Sequence, residues 1–283
     1  GLSYAKNVFI STLQYHMHKM GMLCSLKYRD LAGTNYQDKT EVYYSSHDAA
    51  LDVVRREKPK KVLDIGCGPG YVAHQCEQLG AETTGLDAYE PLPGRMTRFC
   101  RVDLETNELP VDLTEFDMVL FLDVIEHLKE PERFLLELRN RSAAVEVGDM
   151  LPLFVITTPN IAFFVMRLNL LMGRFNYAER GILDITHKRL FTRQSLKRAL
   201  VECGYPVKSI RGVGAPFQTV MAGWSGKILG AISSSLATMW PSMFAFQFLV
   251  ECRPMPGTRQ ILHQIEPVVV AEPLQNLTNV ESK

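Results

Sequence analysis

Val62-Leu63-Asp64-Ile65-Gly66-Cys67-Gly68-Pro69-Gly70 carries the strongest structural signal in the chain. Val62, Leu63 and Ile65 are apolar and mostly branched, as in a central strand of a parallel sheet covered on both faces. Three glycines at alternate positions then permit positive φ and let a ligand approach the backbone with no Cβ in the way. Tyr71 to Gly80 has helix length and closes on a glycine, so its N-terminus turns free N–H groups toward whatever the turn holds. A strand–GxGxG–helix alone indicates a nucleotide-like ligand. The dinucleotide spacing GxGxxG is not met, because its last glycine would fall on Tyr71, and no GK[ST] follows to make a P-loop.

Outward from this turn the chain alternates. Glu82–Asp87 reads as a second strand, Phe99–Leu104 as a third, Phe116–Asp123 as a fourth and Leu153–Thr158, stopped by Pro159, as a fifth. Val207–Ile210 and Phe244–Val250 are the last two. Helices are expected over about 46–57, from Pro131, and from Ser195 to Cys203. This pattern predicts an α/β, Rossmann-like fold with a seven-stranded, mostly parallel sheet and helices on both faces. Ligands bind such sheets at the C-terminal ends of the strands, where Asp64, Asp87, Asp103 and Asp123 all fall. Asp87, 17 residues beyond Gly70, is placed to accept both hydroxyls of a ribose.

Two stretches stand outside the alternation. Residues 161–175, with Phe163, Phe164, Leu168 and Leu171, and residues 218–240, with Trp224, Ile228, Ile232 and Leu236 on one helical face, read as added amphipathic helices. The division expected is an N-terminal helical or cover segment over 1–45, a core domain over 46–253 and a flexible tail over 254–283. Lys27–Asp30 through Tyr43–His47 reads as a polar, aromatic surface stretch or site cover.

Composition narrows the class. Across 283 residues, 46% hydrophobic content is ample for a core, and 31 basic residues balance 31 acidic ones. The balance gives no global basic field, so nucleic acid is not an expected partner. Six scattered cysteines without a CxxC pair read as reduced, mostly buried thiols of a cytoplasmic protein. Gly1 in place of an initiator methionine reads as a piece of a longer chain. No long apolar run marks a membrane span, which leaves at most peripheral contact.

As a set, these motifs resemble class I S-adenosylmethionine-dependent methyltransferases. Val62–Gly70 is similar to their first motif, Leu86-Asp87 to the ribose acid, and Arg101-Val102-Asp103-Leu104 to the adenine-contacting motif. Phe121 to Leu128 resembles the motif after strand 4 in the branch containing the ubiquinone-biosynthesis O-methyltransferases. Thr186 to Thr192 recurs in that branch as well, and the likeness extends over about residues 40–252. Lys27–Asp30 and Pro241–Gln247 are similar to methyltransferase modules of polysaccharide and lipid-linked glycan synthesis, some of which follow a glycosyltransferase domain in one chain.

The resemblance implies S-adenosyl-L-methionine as cofactor and roles for particular residues. Asp64 orients the loop and the methionine ammonium, while Gly66, Cys67, Gly68 and Gly70 form the turn. Asp87 and Ala88 meet the ribose, Asp103 and Leu104 the adenine, and Leu122 and Asp123 the methionine end. Carboxylates suit a cationic sulfonium and ammonium, and would serve a pyrophosphate poorly. Methyl transfer is an SN2 displacement, with alignment and water exclusion as the main contributions of the protein. A hydroxyl acceptor also needs a base with a pKa near 7, and His127 is the first candidate and His187 the second. In the ubiquinone branch Glu126 is a candidate for a divalent cation, but the residues themselves give no ligand cluster, so no metal is expected. The expected acceptor is small, lipid-linked or glycan-type, and methylated at oxygen. The 218–240 segment is a candidate for peripheral membrane contact or for a homodimer face. The competing readings are a nucleotide-dependent oxidoreductase and a non-catalytic cofactor-binding module of a larger fused protein.

Overall fold

The computed structural model describes residues 45–105, 109–142, 151–219, 221 and 223–256, with 10–12, 14, 15 and 17 near the N-terminus. Most of the expected N-terminal segment, including the whole stretch 18–44, lies outside the described residues, and so does the expected tail beyond Pro256.

The sheet has seven strands: β1 (Lys61–Ile65), β2 (Glu82–Asp87), β3 (Arg98–Arg101), β4 (Met118–Leu122), β5 (Leu153–Pro159), β6 (Val207–Val213) and β7 (Gln247–Cys252). Their order is β3-β2-β1-β4-β5-β7-β6. β1 to β5 pair in parallel, and β7 runs antiparallel to both β5 and β6. β7 therefore begins at the end of the sheet where the parallel strands finish, with Gln247 opposite Pro159. β4 and β5 are buried along their whole length, as apolar runs in a doubly covered sheet must be.

The flanking helices are α1 (Ser46–Glu57), α2 (Tyr71–Gln78), α3 (Pro131–Ser142), α4 (Phe164–Leu171), α5 (Arg193–Glu202), α6 (Trp224–Met239) and α7 (Pro241–Phe244). Ser45 caps α1 by accepting from the Asp48 amide, and Thr192 caps α5 in a reciprocal box with Ser195. One core cluster joins Leu63, Phe121, Phe134 and Phe154 with Tyr205, and a second joins α1 residues Leu51 and Val54 with Val62 and Leu120. Tyr205 is fully buried and donates its hydroxyl to the Leu135 carbonyl at 2.9 Å, so its polar tip is satisfied.

Several boundaries move from their expected places. β3 stops at Arg101, leaving Asp103 and Leu104 in the turn beyond it. β7 starts three residues late, because Pro241–Phe244 folds into a short helix with proline at its first turn. Ser46 and His47 are buried at the start of α1 and not part of a surface cover. Among the described residues no helix is long and apolar enough to cross a membrane.

Candidate active site

The glycine turn is held by the neighbouring strand. The Gly66 amide donates to the Leu86 carbonyl at 2.7 Å, and the Gly68 amide donates to Asp87 Oδ2 at 2.8 Å. Gly66 has φ +73°, and a Cβ there would lie 2.4 Å from Val124 Cγ2. Sterics and backbone together therefore require glycine at this position. A Cβ on Gly70 (φ +81°) would meet Arg95 Cβ and Met96 Cε at 2.8 Å, because the segment after β2 folds back over the turn. In that segment the Leu92 amide donates to the Pro69 carbonyl, and the Arg95 guanidinium lies 5.4 Å from the Tyr71 ring centre.

Asp64 is buried beneath the turn, and its carboxyl is raised to about 7, by burial first and then by the nearby Asp87 charge. Asp87 ends β2 and also accepts from the Tyr89 amide at 3.0 Å. Exposed Ala88 lends its carbonyl to Arg101 Nε at 3.0 Å. Asp103 is exposed, and its Oδ1 accepts from the Glu105 amide at 3.0 Å, while half-buried Leu104 packs against the core. Burial pushes the Cys67 thiol well above its ordinary value, which keeps it protonated and unreactive.

Asp123 follows Leu122 at the tip of β4, with φ 56°, one of two non-glycine residues at positive φ among those described. Aspartate tolerates this region better than branched residues do. Its carboxylate is anchored on three sides. Thr157 Oγ1 donates to Oδ1 at 2.7 Å, Gln247 Nε2 to Oδ1 at 2.9 Å and Ser46 Oγ to Oδ2 at 3.3 Å. Ser46, Thr157 and Gln247 were not singled out in the sequence. The available signal was a polar side chain in an otherwise apolar buried strand, which Thr157 and Gln247 both provide.

The turn after β4, Ile125–His127, is strapped to the 182–189 segment. The Glu126 carbonyl accepts from the amides of Lys188 at 2.8 Å and Arg189 at 3.0 Å, and Lys188 Nζ reaches Glu105 at 3.0 Å. This brings His127 and His187 together with ring centres 4.8 Å apart, edge to face. His187 Nδ1 lies 3.0 Å from the Ile182 carbonyl, so it carries the proton and leaves Nε2 as the acceptor. His127 Nδ1 lies 3.2 Å from Thr186 Oγ1, whose own hydroxyl donates to Asp184 Oδ1 at 2.7 Å. Burial holds His187 below the ordinary histidine pKa, so it is neutral at pH 7. Glu126, buried, joins the two histidines in a group whose ligand atoms lie within 4.8 Å of one another. No such cluster was expected, since Thr186, next to His187, lies 59 positions beyond His127. A cavity of about 280 Å³ between α1, β6 and α6 is lined by Asp48, Arg211 and Thr238, and by none of the expected site residues.

The residues fit the expected cofactor. The turn leaves no room for a Cβ on Gly66, one acid lies under it and another beside it, and carboxylates match a cationic ligand. Comparison with known proteins agrees. Residues 41–210 match a family model described as "Methyltransferase domain". The ubiquinone biosynthesis O-methyltransferase of Schizosaccharomyces pombe is 26% identical over 167 residues, covering 54% of this chain and 58% of that protein. The enzyme of the same name from Methylobacterium sp. is 28% identical over 166 residues, covering 54% of this chain and 62% of that one. The chain thus spans somewhat under two thirds of the length of these relatives. A solved S-adenosylmethionine-dependent methyltransferase from Archaeoglobus fulgidus aligns at 23% identity with a TM-score of 0.45, covering 76% of this chain and 97% of that one. The family model takes in more than half of the chain and contains the glycine turn, the four acids and both histidines, so the chain belongs to the class I S-adenosylmethionine-dependent methyltransferases.

Proposed function

We propose that the chain methylates a hydroxyl of a small, lipid-linked or glycan-type acceptor, with His127 as the base. The observation that carries this is the meeting of His127 and His187 over the strap, at the same sheet end as Asp64, Asp87 and Asp123. When bound, S-adenosylmethionine supplies an electrophilic methyl group on a cationic sulfur. Asp64 would hold its ammonium, Asp87 and Ala88 its ribose, Asp103 and Leu104 its adenine, with Gly66, Cys67, Gly68 and Gly70 as the cradle and Leu122 and Asp123 at the methionine end. Nδ1 of His127 is engaged by Thr186, so Nε2 is the atom that accepts the hydroxyl proton. His187, neutral and edge-on to it, fixes the strap through Ile182 and adds no positive charge to oppose that protonation.

A second reading rests on the Glu126, His127 and His187 cluster. Two imidazole nitrogens and a carboxylate are suitable ligands for a divalent cation, which would acidify the acceptor hydroxyl directly. Transfer of labelled methyl to fractionated lipid and glycan extracts, with and without chelator, separates the readings. Chelator-insensitive product that is lost in His127→Ala supports the base. Chelator-sensitive product restored by added metal supports the cation, and absence of any methylated product overturns both. The acceptor reading includes peripheral membrane contact through residues 218–240.

A further inference from the structure

α6 is built inside out. Its small residues Gly226, Gly230 and Ala237 face the body, and its large ones face away. The approach is tight: a Cβ on Gly212 of β6 would lie 2.4 Å from the Ala237 carbonyl, and one on Gly214 2.7 Å from the Ser234 amide. Outward stand Trp224 (77% exposed), Ile228, Ile232, Leu236 and Met239 (81%), repeating every three or four residues along about 24 Å of helix. Burial against β6 thus leaves the large apolar side chains without a place in the core.

α4 continues this surface. Val165 and Met166 face inward, while Leu168, Leu171 (84% exposed) and Met172 face out. The two helices meet at α7: the Phe164 ring lies tilted against Phe244 at 5.7 Å, Trp240 meets Phe244 edge to face at 6.0 Å, and Arg167 donates to the Ser242 carbonyl. The outward face therefore runs from Leu171 through Trp240 to Trp224, larger than the scattered exposure expected of a surface in water.

Its charge is one-sided. The chain as a whole balances 31 bases against 31 acids, yet residues 160–178 and 203–250 contain no aspartate or glutamate. Their bases are Arg167, Arg174, Lys208, Arg211 and Lys227. Lys208 and Arg211 pair with Glu251 on the sheet. Arg167, Arg174 and Lys227 are exposed and meet no acidic partner among the described residues. An apolar ridge with interfacial tryptophans and acid-free cations complements an anionic lipid surface.

We propose that α4, α6 and α7 together form a peripheral docking face for an anionic phospholipid bilayer. This deepens the membrane contact named above and rests on that reading. Because α4 leaves the end of β5 and α7 leads into Gln247, which holds Asp123, the face adjoins the acceptor side of the site.

Flotation of the purified full chain with vesicles of phosphatidylcholine, alone or mixed with phosphatidylglycerol, tests it. Binding to the mixed vesicles, weakened by salt, is expected. Trp224→Ser with Ile232→Ser should abolish it, and Arg174→Ala or Lys227→Ala should each weaken it about fivefold. Unchanged S-adenosylhomocysteine affinity in each variant establishes that the fold is intact. The proposal is overturned if wild type stays out of the lipid fraction, if the double variant binds as well as wild type, or if the same substitutions dissociate a homodimer that does not bind vesicles. Vesicle binding without methylation of any lipid-linked hydroxyl would sink the acceptor reading and leave this face standing. Methylation of such an acceptor without vesicle binding would do the reverse.

Discussion

The two sides of the sheet reach their active ends differently. On the β1–β2 side the arrangement is local: backbone amides of the glycine turn bond to β2, Asp64 is the last residue but one of β1, and Asp87 ends β2. On the β4–β5–β7 side the site is assembled from distant pieces. Asp123 is held by residues 77, 34 and 124 positions away, and the two histidines meet where the strap bonds to Glu126, Glu105 and His127 itself. A site made of adjacent residues is specified by a short motif. One made of remote residues depends on the whole fold.

Four experiments test that contrast. The largest effect is expected from His127→Ala, which should lower kcat about 100- to 1,000-fold and leave S-adenosylhomocysteine affinity unchanged. Equal turnover would remove His127 as the base. Next, Gly66→Ala forces a Cβ against Val124 in left-handed backbone, and should weaken S-adenosylhomocysteine about 10- to 100-fold with a lower Tm. Calorimetry showing wild-type affinity would refute the local account of the cradle.

Third, the raised Asp64 carboxyl predicts how cofactor binding varies with pH. Being raised, it adds most to apo-protein stability below the ordinary carboxylate range, and this contribution is lost as pH rises to about 7. A cationic ligand needs the ionised form, so affinity should rise about tenfold from pH 6 to 8 and then level off. Asp64→Asn should flatten the profile, and a profile that stays as steep in the variant would assign it to another group. The smallest effect is expected from Gln247→Leu, which removes one of three donors to Asp123 and should weaken cofactor binding about fivefold. No change in titration would mean that β7 closes the sheet without shaping the site.

How legible each part was follows from the same distinction. β2 falls where the alternation predicted, at Glu82–Asp87, because buried strands and glycine turns are written in adjacent residues. β7 was displaced by three residues, since aromatic residues at 244 and 246 carry a strand signal that Pro241 at a helix start outweighs. Thr157 and Gln247 are not legible in the sequence, because their contacts with Asp123 are encoded in no local pattern. For α6 the periodicity sets Trp224, Ile228, Ile232 and Leu236 on one face, and packing of the small residues against β6 turns that face outward.

The glycine turn after β1, the placing of Asp64 and Asp87 toward the strand ends, and the family are legible in short segments, because local backbone geometry is a property of adjacent residues. The contact of His127 with His187, and the anchoring of Asp123 by β5, β7 and α1, come from the packed fold. It also decided that α6 turns its glycines inward. In each case the physical reason is the same: helix amphipathicity and residue type state which groups belong together, while packing against a distant strand decides which way they point.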